Sequence, residues 1–264
     1  QEKGPARRLV QETIPRVARG GAEVFVRVNH DAELLGDDVE ASLHSGLDGI
    51  CFPKAESAGQ IHQLESQILD IERRRGLPPG RVEIYPLIES PRGLLNVEAI
   101  ATASPRIRSI TLGPEDYCLA LGVEPSADGV ELLYGVSKLV TVSKAYGINP
   151  LGLLGSIAGF RDLDAFEQCA ARARRLGCVG ASCIHPDQVG VLNRVFSPTA
   201  AAVARARAAA EAFEAGLKQG TASVNLDGTM VDIPVYRRAK RVLEQVAAID
   251  VVERRKAEAM ARLQ

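Results

Sequence analysis

Tryptophan is missing from the 264-residue chain, and the aromatic residues together make up only 4% of it. So few rings weaken any reading that needs stacking platforms for single-stranded nucleic acid or an aromatic belt for a membrane interface. Long apolar runs are lacking as well. None approaches the ~18 residues of a membrane-spanning helix, and the opening QEKGPARRLVQ is charged where a secretory signal is apolar. Charge of one sign is not in excess either: 32 basic and 33 acidic residues leave a formal charge of -1. No global field therefore draws the chain to polyanionic nucleic acid or to an anionic membrane, and an acidic ligand has to be captured locally. The cysteines, Cys51, Cys118, Cys169, Cys178 and Cys183, contain no C-x-x-C pair and have no histidines at zinc spacing. That pattern excludes a zinc module or a disulfide scaffold and fits a reducing cytoplasm, the expected location. No G-x-G-x-x-G or P-loop follows an apolar run, so a nucleotide fold has no local support.

What is present is a balance of 46% apolar and 25% charged side chains, enough to bury a substantial core. The length suits one or two domains, or one α/β barrel of about 250 residues. Short apolar runs at 24–29, 49–54, 82–89, 109–116, 150–156 and 180–186 alternate with longer amphipathic stretches, the pattern of βα units around a parallel sheet. The runs are nearly continuous in apolar residues, as strands covered on both faces are. Between them, Ile61, Leu64, Ile68 and Ile71 form a helical stripe closed by Gly76 and Pro78-Pro79. Leu132, Val136, Leu139 and Ser143 repeat the device before Gly147, and Leu163, Phe166, Ala170 and Ala173 before Gly177. The charged opening segment itself reads as the body of a helix. After Phe196 the texture changes: residues 200–217, rich in Ala with Arg and Glu, predict a helix. A polar turn at 220–228 leads to a second helix that opens at Pro234 and carries Val235, Ala239, Val242 and Val246 on one face. The expected division is an α/β domain over 1–196 and a helical extension over 197–264.

In parallel α/β folds chemistry gathers at the carboxyl ends of the strands, where loops converge and helix amino termini point inward. The run ends here are Arg27 and Asn29 in VRVN, Lys54 in FPKAES, Glu89 in LIESPRG, Asp116 in LGPEDY and His185 in CIHP. Glu89 and Asp116, two carboxylates from different runs, suit a hard divalent ion such as magnesium that also takes water and substrate oxygens. Arg27 offers a planar donor for a carboxylate or a developing enolate oxygen. Gly113 lets the backbone approach a ligand closely, and the amides of Glu115 and Asp116, unlike that of Pro114, are free to donate to a substrate carboxylate. Each has a purely structural alternative. An acidic residue at a strand end is often the cap of the next helix, Lys54 is a solvated lysine, His185 before Pro186 is a turn or packing histidine, and Cys183 is a small buried apolar residue.

Taken in order, VRVN, FPKAES, LIESPRG, LGPEDY and CIHP resemble the citrate lyase β-subunit-like family of CoA-ester lyases, and the resemblance runs from Glu2 to about residue 245. It implies a (β/α)8 TIM barrel whose Mg2+ is held at the positions of Glu89 and Asp116, with Arg27 contacting the substrate's carbonyl or enolate oxygen. The segment DGTMVDIP at 227–234 is similar to the family's carboxyl-terminal segment, in which an Asp acts as acid/base after insertion into a neighbouring subunit's site. That match is Asp232, which without the family reads as an acidic residue preceding a helix. Members carry two further strands upstream, including a D-L-E-D run, and six strands cannot close an eight-stranded barrel. The expectation is therefore a barrel lacking its first two strands in this chain, the amino-terminal segment either lying before Gln1 or lost. Near SIAGFRD, 156–162, some members have an acidic residue where this chain has small or apolar ones, which leaves the acyl preference open. The implied reaction cleaves or forms a 3-hydroxyacyl-CoA thioester such as malyl-CoA or citramalyl-CoA, giving acetyl-CoA and a 2-oxo acid, in a homotrimer or homohexamer. Three alternatives stand beside it: a citrate lyase β subunit acting on citryl-acyl carrier protein, a pyruvate-type aldolase that uses no thioester, and a non-catalytic barrel binding module.

Overall fold

The charged opening segment folds as helix α1 (Lys3–Val17) in the computed structural model, which describes residues 2–263. The chain divides into two compact units, Gln1–Phe196 and Ser197–Gln264. In the first unit a strand-helix rhythm follows α1: β1 (Phe25–Arg27), α2 (Ala32–Ser42), β2 (Gly49–Phe52), α3 (Ala58–Arg75), β3 (Glu83–Ile88), α4 (Pro91–Leu95) and α5 (Val97–Ala101). It continues with β4 (Ser109–Leu112), α6 (Pro114–Leu121), α7 (Val130–Ala145), β5 (Asn149–Leu151), α8 (Leu163–Leu176) and α9 (Pro186–Phe196). The strands lie in sequence order in one sheet, and every pair is parallel. All their carboxyl ends therefore face one way.

The core follows from the patterns in the sequence. Ile50 and Phe52 of β2, Ile84 and Ile88 of β3, and Ile110 and Leu112 of β4 are buried, and the stripes Ile61, Leu64, Ile68, Ile71 and Leu132, Val136, Leu139 cover them from outside. Ser57 starts α3 with a capping box closed by Gln60, and Gly76 ends it in the left-handed conformation at φ 62°. At the amino-terminal end of the sheet Glu72 and Arg106 form a buried bidentate ion pair, with N–O distances of 2.9 and 2.6 Å.

Three of the expected strand runs are corrected. The run 180–186 is not a strand: Gly180 makes a single bridge to Leu151, and the side chain of Gln188 accepts from the amides of Ile184 (2.9 Å) and His185 (3.2 Å). A side chain thus satisfies amides that a neighbouring strand would otherwise hold. The run 150–156 is strand only to Leu151, and beyond it Gly155 takes φ 140° at a point where a β-carbon would collide with the sulfur of Cys169. Likewise 109–116 stops at Leu112, since Gly113 and Pro114 open α6 and put Asp116 in its first turn.

The second unit pairs α10 (Ala200–Lys218) with α11 (Ile233–Ala261) around Phe213 and Ala239. Thr199 caps α10, and Phe213 stacks on Tyr236 with centroids 4.7 Å apart. The segment between the helices, expected as a polar turn, is a hairpin of β6 (Val224–Leu226) and β7 (Thr229–Val231). Asp227 and Gly228, at φ 50° and 79°, make its tight turn.

Candidate active site

At the carboxyl ends of the strands lies a cavity of about 290 Å³ whose walls include Arg27, Glu89, Gly113, Asp116, Ile157 and Cys183. Arg27 is the last residue of β1 and Glu89 follows β3, while Asp116 sits in the first turn of α6. Three separate βα junctions thus deliver the polar set to one place. Glu89 is buried, and its Oε1 lies 3.6 Å from the guanidinium of Arg27. Its Oε2 accepts from the backbone amide of Lys54 at 2.8 Å. The ammonium of Lys54 in turn lies 3.7 Å from Asp116 Oδ1.

Burial holds the Glu89 carboxyl above its ordinary pKa, and the charge of Asp116 pushes the same way, against the Lys54 amide and Arg27. A buried carboxylate that remains short of positive charge is a good hard-cation ligand. Thiols offer no competing chemistry: burial raises Cys51 to about 12 and raises Cys183 as well, so neither is a thiolate near neutrality. Among the described residues no group of three or more His, Cys, Asp or Glu is placed to hold a metal. Two carboxylates beside open space nevertheless fit magnesium, which keeps several waters and takes substrate oxygens for its remaining positions.

Gly113 lines the cavity, and a β-carbon there would lie 2.7 Å from Cγ of Glu89, so the missing side chain makes room for the carboxylate. The amides of Glu115 and Asp116 stand at the amino terminus of α6, where the helix supplies no acceptor. The side chain of Glu115 is engaged elsewhere, accepting from Ser156 Oγ at 2.6 Å and from the Ile157 amide at 3.1 Å. It thereby fastens the loop after β5 against the cavity, a contact across 41 positions that no local pattern in the sequence signals. Tyr85 and Ser182, which also line the cavity, share a hydrogen bond of 3.3 Å, and no motif in the sequence marks either of them.

Asn29 and His185, at the ends of other apolar runs, are engaged elsewhere. Asn29 donates its amide to Asp38 at 3.0 Å and accepts from Lys3 at 2.9 Å, tying α1 to α2. His185 stacks on Phe160 with centroids 5.1 Å apart, and its Nδ1 accepts from the Asp187 amide at 3.3 Å. Asp232 belongs to the second unit, where it caps α11 by accepting from the Val235 amide at 3.1 Å.

Residues 1–186 match the family model of HpcH/HpaI aldolase/citrate lyase. The citrate lyase subunit beta of Escherichia coli (strain K12) is 37% identical over 246 residues, covering 93% of this chain and 81% of that protein. The L-malyl-CoA/beta-methylmalyl-CoA lyase of Rhodobacter capsulatus is 31% identical over 265 residues, covering 92% and 82%. Among solved structures, protein CitE from Mycobacterium tuberculosis in complex with magnesium, acetoacetate and coenzyme A superposes with a TM-score of 0.64 at 25% identity. The superposition covers 84% of this chain and 78% of that one.

Proposed function

The chain belongs to the HpcH/HpaI aldolase/citrate lyase family, and from that premise we propose a Mg2+-dependent carbon–carbon lyase acting on a 3-hydroxyacyl-CoA thioester. Malyl-CoA and citramalyl-CoA are the substrates of the proposed type, with acetyl-CoA and a 2-oxo acid as products. Residues 1–196 are read as part of a (β/α)8 barrel that carries the site, and 197–264 as the helical unit that supplies Asp232. The observation that carries the reading is the convergence of Glu89, Asp116 and Arg27 on one cavity.

Cleavage requires loss of the proton on the 3-hydroxyl, rupture of the bond between C2 and C3, and passage of its electron pair into the thioester carbonyl. Glu89 and Asp116 would hold the magnesium ion, which when bound supplies Lewis-acid stabilisation to the hydroxyl and carboxylate oxygens of the 2-hydroxy acid end. Arg27, half-exposed at the cavity wall, would donate to the thioester oxygen as charge collects there, where a fixed donor is most effective. The helix amides of Glu115 and Asp116 would orient the substrate carboxylate. The hydroxyl proton would pass to solvent, and Asp232 would bring one from solvent to the enolate carbon to complete the methyl group of acetyl-CoA, acting in the neighbouring copy of a homotrimer or homohexamer.

A second reading, a β subunit acting on citryl carried by an acyl carrier protein, is favoured by the name of the E. coli relative. Purified protein with Mg2+ and a panel of malyl-CoA, citramalyl-CoA and citryl thioesters separates the two. Cleavage of a free malyl or citramalyl ester supports the first reading, and turnover confined to carrier-bound citryl supports the second. Silence toward all of them defeats both. Asp232→Asn sharpens the assignment, because Asn caps a helix as well as Asp does. The variant is expected to keep its Tm and lose about 10²- to 10⁴-fold in kcat. Undiminished turnover would return Asp232 to a capping role alone.

A further inference from the structure

Lys54 combines features that a solvated lysine does not need. Its φ is 51°, in the left-handed region, which a non-glycine residue enters at a cost. Several contacts hold it there. The amide of Ala55 donates to the Leu87 carbonyl at 3.0 Å, and Asn96 Nδ2 donates to the Glu56 carbonyl at 2.8 Å. Ser90 Oγ donates to the carboxylate of Glu56, and a β-carbon at Gly93 would come within 2.5 Å of the Ala55 carbonyl oxygen. FPKAES and LIESPRG are thus one interlocked device. Its effect is to turn the Lys54 amide onto Glu89 at 2.8 Å and to set the ammonium 3.7 Å from Asp116.

Resting on the magnesium reading above, we propose that Lys54 is a positioning residue of the metal site: its amide fixes Glu89, and its ammonium is the counter-ion of Asp116 until a divalent ion replaces it. The charges balance on this view. Arg27 and Lys54 face Glu89 and Asp116 one to one, and a divalent ion between the two carboxylates takes over both neutralising roles. Arg27 and Lys54 are then released toward the anionic oxygens of the substrate. An ammonium on a flexible stem suits the exchange, because it is a point charge with no fixed fork to break.

The test is calorimetric titration of the full chain with MgCl2, at low and at high salt. Lys54→Met removes the ammonium and keeps the amide; Lys54→Gly does the same and also relieves the backbone. Lys54→Arg keeps the charge. With the competing cation gone, Met and Gly should bind Mg2+ about three- to tenfold more tightly than wild type at low salt, and Arg should restore wild-type affinity. The gain should shrink as salt rises. Equal affinity in all four proteins, or weaker binding in the Met variant, overturns the proposal while leaving the magnesium reading intact. Wild type and variants that all take up no Mg2+ overturn the magnesium reading, and the proposal with it.

Discussion

The first unit buries two glutamates at opposite ends of one sheet, each facing an arginine, and the two pairs are built for different ends. At the amino-terminal end Glu72 and Arg106 are both almost wholly buried and joined by two short bonds, and Glu72 also accepts from the Gly80 amide at 3.2 Å. Burial alone would raise Glu72, but the Arg106 donors and the Gly80 amide outweigh it and hold the carboxyl below 4.5. At the carboxyl-terminal end Glu89 is also buried, yet Arg27 stands off at 3.6 Å with most of its side chain in solvent. There burial wins, and Glu89 is held above 4.5. A glutamate with both oxygens held by close donors is tied into the fold; one left short of positive charge is prepared for a ligand.

Substitutions at the two ends should give opposite phenotypes. Glu89→Ala or Asp116→Ala is expected to lower Mg2+-dependent turnover by about 10³-fold or more with the fold intact, measured by steady-state assay alongside circular dichroism. Full activity in either variant would erase the distinction between the ends. On the arginine side, Arg106→Ala should cost about 3–5 kcal/mol in urea unfolding, because it strands a buried carboxylate. Arg27→Ala should cost less than about 1 kcal/mol and act on kcat instead. Equal losses of stability would show that burial, not pairing, governs both sites.

A smaller effect separates the glutamates by sign. Glu72, lowered below its unfolded value of 4.5, contributes stability that is full above pH 4.5 and is lost as pH falls through the lowered pKa. Glu89, raised above 4.5, contributes stability only in its protonated form, full below pH 4.5 and lost as pH rises through the raised pKa. Once ionised, it is therefore a burden on the metal-free fold. Glu89→Gln should raise the Tm of metal-free protein by roughly 2–4 °C at a pH above the raised pKa, while Glu72→Gln lowers it. A lowered Tm in both, read by calorimetry in chelator, would contradict the contrast.

Much of this arrangement is legible in the sequence. Helical stripes such as Ile61, Leu64, Ile68 and Ile71 are readable because a strand, with its two-residue period, cannot bring residues at such spacing onto one face, and the buried faces follow them. Strand ends are overrun, since apolar side chains continue past the last ladder bond: Leu153 and Leu154 are buried but lie beyond β5. The hairpin at Asp227-Gly228 carries a readable two-residue turn signal between V-N-L and T-M-V. Arg27, Glu89 and Asp116 stand out as polar residues closing apolar runs, and the structure brings them to one cavity. What sequence could not supply is the reason for Gly113, whose absent side chain answers to Glu89, or the clasp of Glu115 on Ser156. The left-handed turn at Lys54 is equally hidden, because it is imposed by contacts with residues more than 30 positions away.

Whether Glu89 and Asp116 hold one divalent ion between them can be read from crystals grown with Mn2+ and measured for anomalous scattering. A single strong peak is expected in the cavity, within bonding distance of both carboxylates. A peak that touches neither, or no peak at saturating Mn2+, would refute the shared site.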